Sequence, residues 1–250
     1  MGEDPLQLYD QQAGNWRRRS PSSLSDFTAR PAIFDLCGDV EGLDILDVGC
    51  GEGYCTRELV ARGAASATGI DLSAEMVALA KEQESELGQG ISYLQGDARS
   101  LEQPDASFDL VTAVFVFNYM TTAEMVTSLR EMRRVLRPTG AVIFSVPHPA
   151  FPFMRAPAPP FFFDFGERGY FSGRDTRNPG QIFRIDGTAL EVQMVHKSFE
   201  DYFAALADAG FTALPVVKEL TVRPEDLEDH REWMGPLQDI PLHVAFRVVR

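Results

Sequence analysis

Glycines 49, 51 and 53 occupy alternate positions in Leu46-Asp47-Val48-Gly49-Cys50-Gly51-Glu52-Gly53, between an apolar strand pattern and a helical one. Without side chains the backbone turns sharply there, and a ligand reaches van der Waals contact with the main chain. At the carboxyl end of a parallel strand that chemistry is nucleotide binding. Asp71 ends the next strand pattern, where a carboxylate takes both hydroxyls of a ribose. The spacing argues against a dinucleotide. Its fingerprint needs a glycine where this chain has Tyr54, and Glu52 adds negative charge where a pyrophosphate would rest on the helix N-terminus. A ligand without phosphates fits better. Beyond the loop, His148 in Val146-Pro147-His148-Pro149 closes the fifth strand pattern. It is either a base active near neutral pH or a histidine bonded structurally between two prolines. His196, Asn118 and Tyr119 are further polar candidates, whereas His230 and His243 have no chemical context. Cys50 and Cys55 read as small fillers.

The elements that position these groups alternate between strand and helix. Ile45–Val48, Ser66–Ile70, Ile91–Leu94, Leu110–Phe117 and Ala141–Val146 read as strands buried on both faces. Ser73 caps one intervening helix, and Thr121 with Glu124 forms a capping box for another. Repeated units of this kind imply a doubly wound α/β sheet with right-handed crossovers. Residues 147–165, with six prolines and six phenylalanines, break the pattern. Gln181–Ile185 and Thr188–Val195 around Asp186-Gly187 predict a hairpin with a two-residue turn. Ser198 and Asp201 predict a helix with Phe199, Tyr202, Phe203 and Leu206 inward. Strands at Leu214–Leu220 and Leu242–Val249 follow, separated by an acidic loop, Glu225–Glu232.

The chain has 250 residues, 44% of them apolar, and 37 acidic against 23 basic side chains give a formal net charge of −14. That content supports a packed core rather than disorder or a fibre. The acidic balance opposes nucleic acid and anionic membrane as partners. No apolar run approaches the roughly 20 residues that span a bilayer. Met1 to Tyr9 has neither a basic start nor an apolar stretch, so no signal peptide is expected. Three cysteines, Cys37, Cys50 and Cys55, suit no disulfide framework and fit a reducing, cytoplasmic setting. A monomer or homodimer is expected.

In order along residues 40–150, these motifs resemble those of the class I S-adenosylmethionine-dependent methyltransferases. Asp47-Val48-Gly49-Cys50-Gly51-Glu52-Gly53 looks like their first motif, which wraps the methionine portion. Gly69-Ile70-Asp71-Leu72-Ser73 resembles the second, with Asp71 on the ribose and Leu72 and Met76 near the adenine. Gly96-Asp97-Ala98 resembles the third, in which the Asp97 carboxylate accepts from the adenine amino group. Phe108-Asp109-Leu110-Val111 resembles the fourth-strand motif, where Asp109 itself reads as structural. Met132-Arg133-Arg134-Val135-Leu136-Arg137-Pro138-Thr139-Gly140 resembles the family's junction into the fifth strand. Tyr9-Asp10-Gln11-Gln12-Ala13-Gly14-Asn15-Trp16 resembles its lid helix, and Arg17, Arg18 or Arg30 then pairs with the methionine carboxylate. The resemblance implies S-adenosylmethionine as cofactor, with S-adenosylhomocysteine as product. The implied binding set is Tyr9, Trp16, Asp47, Gly49, Gly51, Gly53, Asp71, Leu72, Met76, Asp97, Ala98 and Phe115. It also implies a Rossmann-like, mostly parallel seven-stranded sheet with an antiparallel last strand, in a single domain over 1–250. Residues 1–42 are then a helical cover, 43–146 the cofactor-binding core, 147–197 an aromatic-rich lid with a β-hairpin, and 198–250 the last helix and two strands.

Methyl transfer from a sulfonium needs an in-line nucleophile, so positioning and desolvation supply much of the rate. No metal is required or indicated. Family members that use a metal carry acids after the fourth strand, and Val114–Met120 has none. Members acting on nucleic-acid amino groups carry Asn/Asp-Pro-Pro-aromatic there, and Phe117-Asn118-Tyr119-Met120 lacks the prolines. The glutamate pair of protein arginine methyltransferases is also missing. A small organic acceptor remains. Nine of the chain's 26 aromatic residues lie within 151–190, which suits an apolar lid that excludes water. The alternative is a satellite core or a dimer contact. The expected acceptor site is Asn118, Tyr119, His148, Phe151, Phe163, Tyr170 and His196, with His148 and Tyr119 catalytic. The expected reaction methylates a nitrogen or oxygen of a small aromatic or heterocyclic metabolite, as in secondary metabolism. A narrower likeness to toxoflavin-type N-methyltransferases rests on Cys50-Gly51-Glu52-Gly53-Tyr54 and Phe117-Asn118-Tyr119. The alternatives are a non-catalytic S-adenosylmethionine-binding protein and, more remotely, an NAD-dependent oxidoreductase. An open path from the methyl position to a pocket beneath the insert separates an enzyme from a binder.

Overall fold

The computed structural model describes residues 10, 11, 13–17 and 21–250. Two helices, α1 (Leu24–Phe27) and α2 (Ala29–Cys37), precede the first strand. Asp26 fixes their entry: Oδ2 accepts from the Ser22 and Ser23 amides and from Ser23 Oγ, while Oδ1 meets Arg30 at 2.8 Å. The core then alternates as the periodicity predicts. Its elements are β1 (Asp44–Val48), α3 (Tyr54–Ala61), β2 (Ser66–Asp71), α4 (Ala74–Leu87), β3 (Ser92–Gln95), β4 (Phe108–Val114), α5 (Thr122–Val135) and β5 (Leu136–Pro147). Ser73 Oγ accepts from the Met76 amide to start α4, and Thr121 with Glu124 closes the capping box of α5.

After Pro147 the chain leaves this sheet. β6 (Phe161–Phe163), β7 (Arg177–Phe183) and β8 (Ala189–Val195) form a separate three-stranded antiparallel sheet, the lid. The predicted hairpin is present, but its turn is longer than two residues. Arg184 N–H donates to the Thr188 carbonyl and Gly187 N–H to the Arg184 carbonyl, leaving Ile185-Asp186-Gly187 as a three-residue loop with Gly187 at φ +85°. Docking explains the longer loop: Ile185 N–H donates to the Ser22 carbonyl and Arg184 Nη2 to Ser22 Oγ, both at 2.9 Å.

The chain finishes with α6 (Phe199–Asp208), β9 (Val216–Leu220), α7 (Pro224–Met234) and β10 (His243–Val249). Ser198 and Asp201 cap α6 as expected. Tyr202 and Leu206 are buried, but Phe203 is 41% exposed, a correction to the inward face expected of it. The acidic loop expected at 225–232 is the helix α7. Pro224 suits its first turn, Glu225 and Asp226 complement its positive end, and Leu227 and Met234 bury against the lid.

The main sheet runs β3-β2-β1-β4-β5-β10-β9. β10 is antiparallel to both neighbours, so the antiparallel strand that comes last in the chain lies inside the sheet, paired Val244 to Val146 and Val244 to Glu219. One core packs α5 and α6 on the sheet around Phe144, stacked on Phe246 at 4.6 Å. A second core, around Phe151, Phe161, Phe163 and Phe165, joins the lid to α1 and α7. Among the described residues no helix is long and apolar enough to cross a membrane.

Gly180 in β7 lets the lid strands close: a Cβ there would stand 2.4 Å from both the Phe162 carbonyl oxygen and Phe163 Cδ1. Gly180→Ala should therefore cost about 1–3 kcal/mol of lid packing. In deuterium exchange, amides of β6, β7 and β8 should lose protection while β1, β4 and β5 keep theirs. Unchanged lid protection would contradict this packing.

Candidate active site

The carboxyl ends of β1, β2, β4 and β5 open on a cavity of about 340 Å³. At its floor lies Asp47, 1% exposed, whose Oδ1 accepts from Thr112 Oγ1 and whose Oδ2 accepts from Thr56 Oγ1, both at 2.7 Å. Burial pushes its carboxyl up to about 6, against the pull of the two hydroxyls. The glycine loop passes over it. Gly51, at φ +56°, donates its N–H to Asp71 Oδ2 at 2.8 Å, and Ser73 N–H donates to Asp71 Oδ1 at 2.9 Å. A Cβ on Gly51 would meet no protein atom within 4 Å; the space belongs to the cavity. Gly49 also lines it. Gly53 does not, which corrects its expected cofactor contact. A Cβ there would stand 2.4 Å from Tyr93 Oη, so this glycine serves packing behind the loop.

Leu72, Met76, Asp97 and Ala98 line the far end. Arg99 grips both oxygens of Asp97, holding its carboxyl below the usual range, and also pairs with Glu124 at 2.6 Å. Glu52 differs from expectation. It is buried, with Arg57 Nη2 at 2.6 Å and Gln83 Nε2 at 2.9 Å on its carboxylate. Its charge is neutralised, so of the two arguments against a pyrophosphate only the side chain of Tyr54, which lines the cavity, still holds. Burial raises the Cys50 thiol well above its ordinary value, in keeping with a filler.

Opposite the loop stands Arg30. Its Nη1 donates to Ser25 Oγ and Asp26 Oδ1, and its guanidinium lies 5.9 Å from the Tyr54 and Phe115 rings. Of the three arginines open for a carboxylate, Arg30 lines the cavity. Arg17 faces Glu82 and Glu86. Arg18 and Tyr9 lie outside the described residues, while Trp16 and Phe115 do line the cavity.

The other half of the cavity lies under the lid. Asn118 and Tyr119, on the turn Phe117–Tyr119, line it together with Phe161, Phe163, Ile182 and Arg177. Asn118 is 2% exposed and its Oδ1 has no partner among the described residues. Lys197, fully buried, pins this turn: Nζ donates to the carbonyls of Phe117 at 2.9 Å, Val195 at 3.2 Å and Met120. Burial pushes its ammonium down to about 8.

Four expected acceptor residues do not line the cavity. Pro147 faces it, so strand alternation turns His148 to the other side. There Nδ1 accepts from the Ala150 amide, and Nε2 lies 2.7 Å from Glu219 Oε1. His196 sits in a cage of Phe153, Phe165 and Tyr170, with Nε2 on the Tyr170 carbonyl at 2.9 Å, and burial lowers its pKa. Tyr170 belongs to that cage. Phe151 stacks on Phe161 at 4.8 Å, one layer behind the wall. In their place stands His243, which sequence reasoning missed. An antiparallel strand begins where parallel strands end, so the first residue of β10 had to reach this edge.

Residues 45–140 match the family model described as a methyltransferase domain. Residues 45–140 thus carry a methyltransferase domain, and the fold is that of S-adenosylmethionine-dependent methyltransferases. An S-adenosylmethionine-dependent methyltransferase of Mesorhizobium loti matches it with a TM-score of 0.66 and 26% identity, over 88% of this chain and 96% of that one. A demethylmenaquinone methyltransferase of Lactococcus lactis is 37% identical over 119 residues, 46% of each chain. An uncharacterized protein of Haemophilus influenzae is 32% identical over 136 residues, 53% of each. The chain thus spans about half the length of the curated relatives it matches. S-adenosylmethionine is the cofactor of this family, and the methyltransferase cavity fits it. The space at Gly51 is free for a ligand, Asp71 offers a carboxylate for a diol, and the Arg30 guanidinium at the cavity wall offers a positive charge for a carboxylate.

Asp47 gives a test of this electrostatic picture. An unfolded aspartate titrates near ~3.9, so the native state binds the proton more tightly between about 4 and about 6. The contribution of this group to stability is fullest below that window and falls by about 3 kcal/mol as pH rises through it. In denaturant titrations Asp47→Asn should remove that downward slope. Parallel profiles for the two proteins would mean that Asp47 titrates normally.

Proposed function

We propose that this chain transfers a methyl group from S-adenosylmethionine to a nitrogen or oxygen of a small aromatic or heterocyclic acceptor, without a metal. What carries the reading is the continuity of the cavity, from the glycine loop and Asp71 at one end to the lid rings Phe161 and Phe163 at the other. That open path favours an enzyme over a non-catalytic binder, and Tyr54 disfavours NAD. The bound cofactor supplies an electrophilic methyl group. On its side, Asp71 holds the ribose, Asp97 and Ala98 the base, Leu72 and Met76 its apolar faces, Arg30 the methionine carboxylate, and Trp16 covers the chain. On the acceptor side, the lid rings and Ile182 exclude water and pack on a flat molecule. Asn118 Oδ1 accepts from an N–H or O–H, and Tyr119 adds a ring and a hydroxyl. Arg177 donates to Gln193 Oε1 at 3.2 Å and has no acidic partner among the described residues, which favours an acceptor with an anionic substituent. Heterocycles of the toxoflavin type are one class to assay, and a cytoplasmic setting in secondary metabolism suits the reading.

Calorimetry with S-adenosylmethionine, S-adenosylhomocysteine and NAD tests the first half of this proposal. The two sulfur compounds should bind in the micromolar range and NAD should not. Asp71→Ala should weaken both by about 1.5–3 kcal/mol, the scale of hydrogen bonds to a charged group. A folded protein silent toward both sulfur compounds would remove the proposal.

A further inference from the structure

We propose that His243 receives the proton of the methyl acceptor and that Thr28 sets the tautomer that allows it. This rests on the methyl-transfer reading and adds to it the acceptor's chemistry: a nitrogen or oxygen that still carries a hydrogen.

The Thr28 hydroxyl has one hydrogen, and the Leu24 carbonyl stands 3.0 Å away to accept it. With that hydrogen on the carbonyl, the 2.8 Å contact between Thr28 Oγ1 and His243 Nδ1 runs from ring N–H to hydroxyl oxygen, which is the tautomer proposed here. A neutral imidazole protonated on Nδ1 leaves a lone pair on Nε2. The ring's one hydrogen bond among the described residues is that at Nδ1, and the ring lines the cavity. Its place is the seam between the two halves. Phe115, from the turn after β4, lies 5.0 Å away and Phe161, from the lid, 5.3 Å away. Pairing of His243 with Pro147 sets it at the carboxyl end of β5.

The surroundings keep the ring neutral: burial first, then Arg30 and His148, push its pKa down to about 3. The lone pair is available at any physiological pH. A carboxylate seated on Arg30 offsets the repulsion that a protonated His243 would feel. In the transfer, the acceptor's lone pair forms the bond to the methyl carbon, and the electrons of the methyl–sulfur bond stay on sulfur. The acceptor's proton passes to Nε2 and then to solvent. The positive charge that appears on the ring replaces the one lost from the sulfonium, so the net charge of the site is unchanged.

Nitrogen-15 NMR of histidine-labelled protein tests the tautomer without turnover. His243 should show a protonated Nδ1 and a bare Nε2, and phenol added to the S-adenosylhomocysteine complex should shift Nε2. A proton found on Nε2 would overturn the proposal, and this measurement decides even where a variant fails to fold. His243→Phe keeps a ring between Phe115 and Phe161. It should hold S-adenosylmethionine within about threefold of wild type, while methyl transfer to phenols, anilines or azoles used by the wild type falls roughly 10²–10⁴-fold. Thr28→Val should fall between the two. Wild-type turnover in His243→Phe, or a loss confined to cofactor affinity, would overturn the role while leaving the methyl-transfer reading standing. Absence of cofactor binding in the wild type would strike that reading instead.

Discussion

The site depends on one buried carboxylate. Asp47 ends in two oxygens, each filled by a threonine hydroxyl, one on β4 and one on α3. A single side chain thus ties the first strand to its neighbour and to the helix that follows the glycine loop. The loop between them must cross above the carboxylate, and its glycines take the positive φ values that crossing requires. Asp71 then fastens the loop from the side through the Gly51 amide. Burial of Asp47 is costly, as its raised pKa records, and the two hydroxyls offset part of that cost.

Around this anchor, the cover and the lid hold each other. The lid's hairpin turn docks on Ser22, just before α1, and Asp26 orients both that helix entry and Arg30. From the lid's other end, Lys197 reaches the carbonyls of the turn that carries Asn118 and Tyr119. An ammonium buried with no ion pair among the described residues is costly, so its three carbonyl bonds make the turn and the lid a single unit. The phenylalanine-rich insert divides its rings between two tasks. Phe161 and Phe163 face the cavity, while Phe151 and Phe165 build the packing behind them.

The stretch shared with the methyltransferase family, 45–140, ends before the lid begins. It contains the loop, Asp71 and Asp97, which line one half of the cavity. The lid strands and the start of β10 lie beyond it and line the other half. Cofactor chemistry is common to the relatives, and a pocket for a different acceptor calls for different walls. Arg30 and His243 stand where the two halves meet, and both are positioned by residues of the cover.

Local signals were legible in the sequence because local bonds create them. Ser73, Thr121 and Ser198 cap helices by bonds that reach three residues along the chain, and the alternation of strands and helices follows from apolar spacing. Gly49, Gly51, Asp71 and Asp97 were legible as residues at strand ends, and all four line the cavity. Gly53 was misread because its contact is with Tyr93, and Glu52 because its partners are Arg57 and Gln83. Helix α7 was hidden by acidic residues whose few apolar neighbours gain burial only against the lid. His148 and His243 show the limit most plainly. The sequence by itself determined that histidines lie at the end of one strand and the start of another. Only the tertiary structure decided which enters the cavity, because strand alternation turned His148 away while the pairing of β10 with β5 carried His243 in.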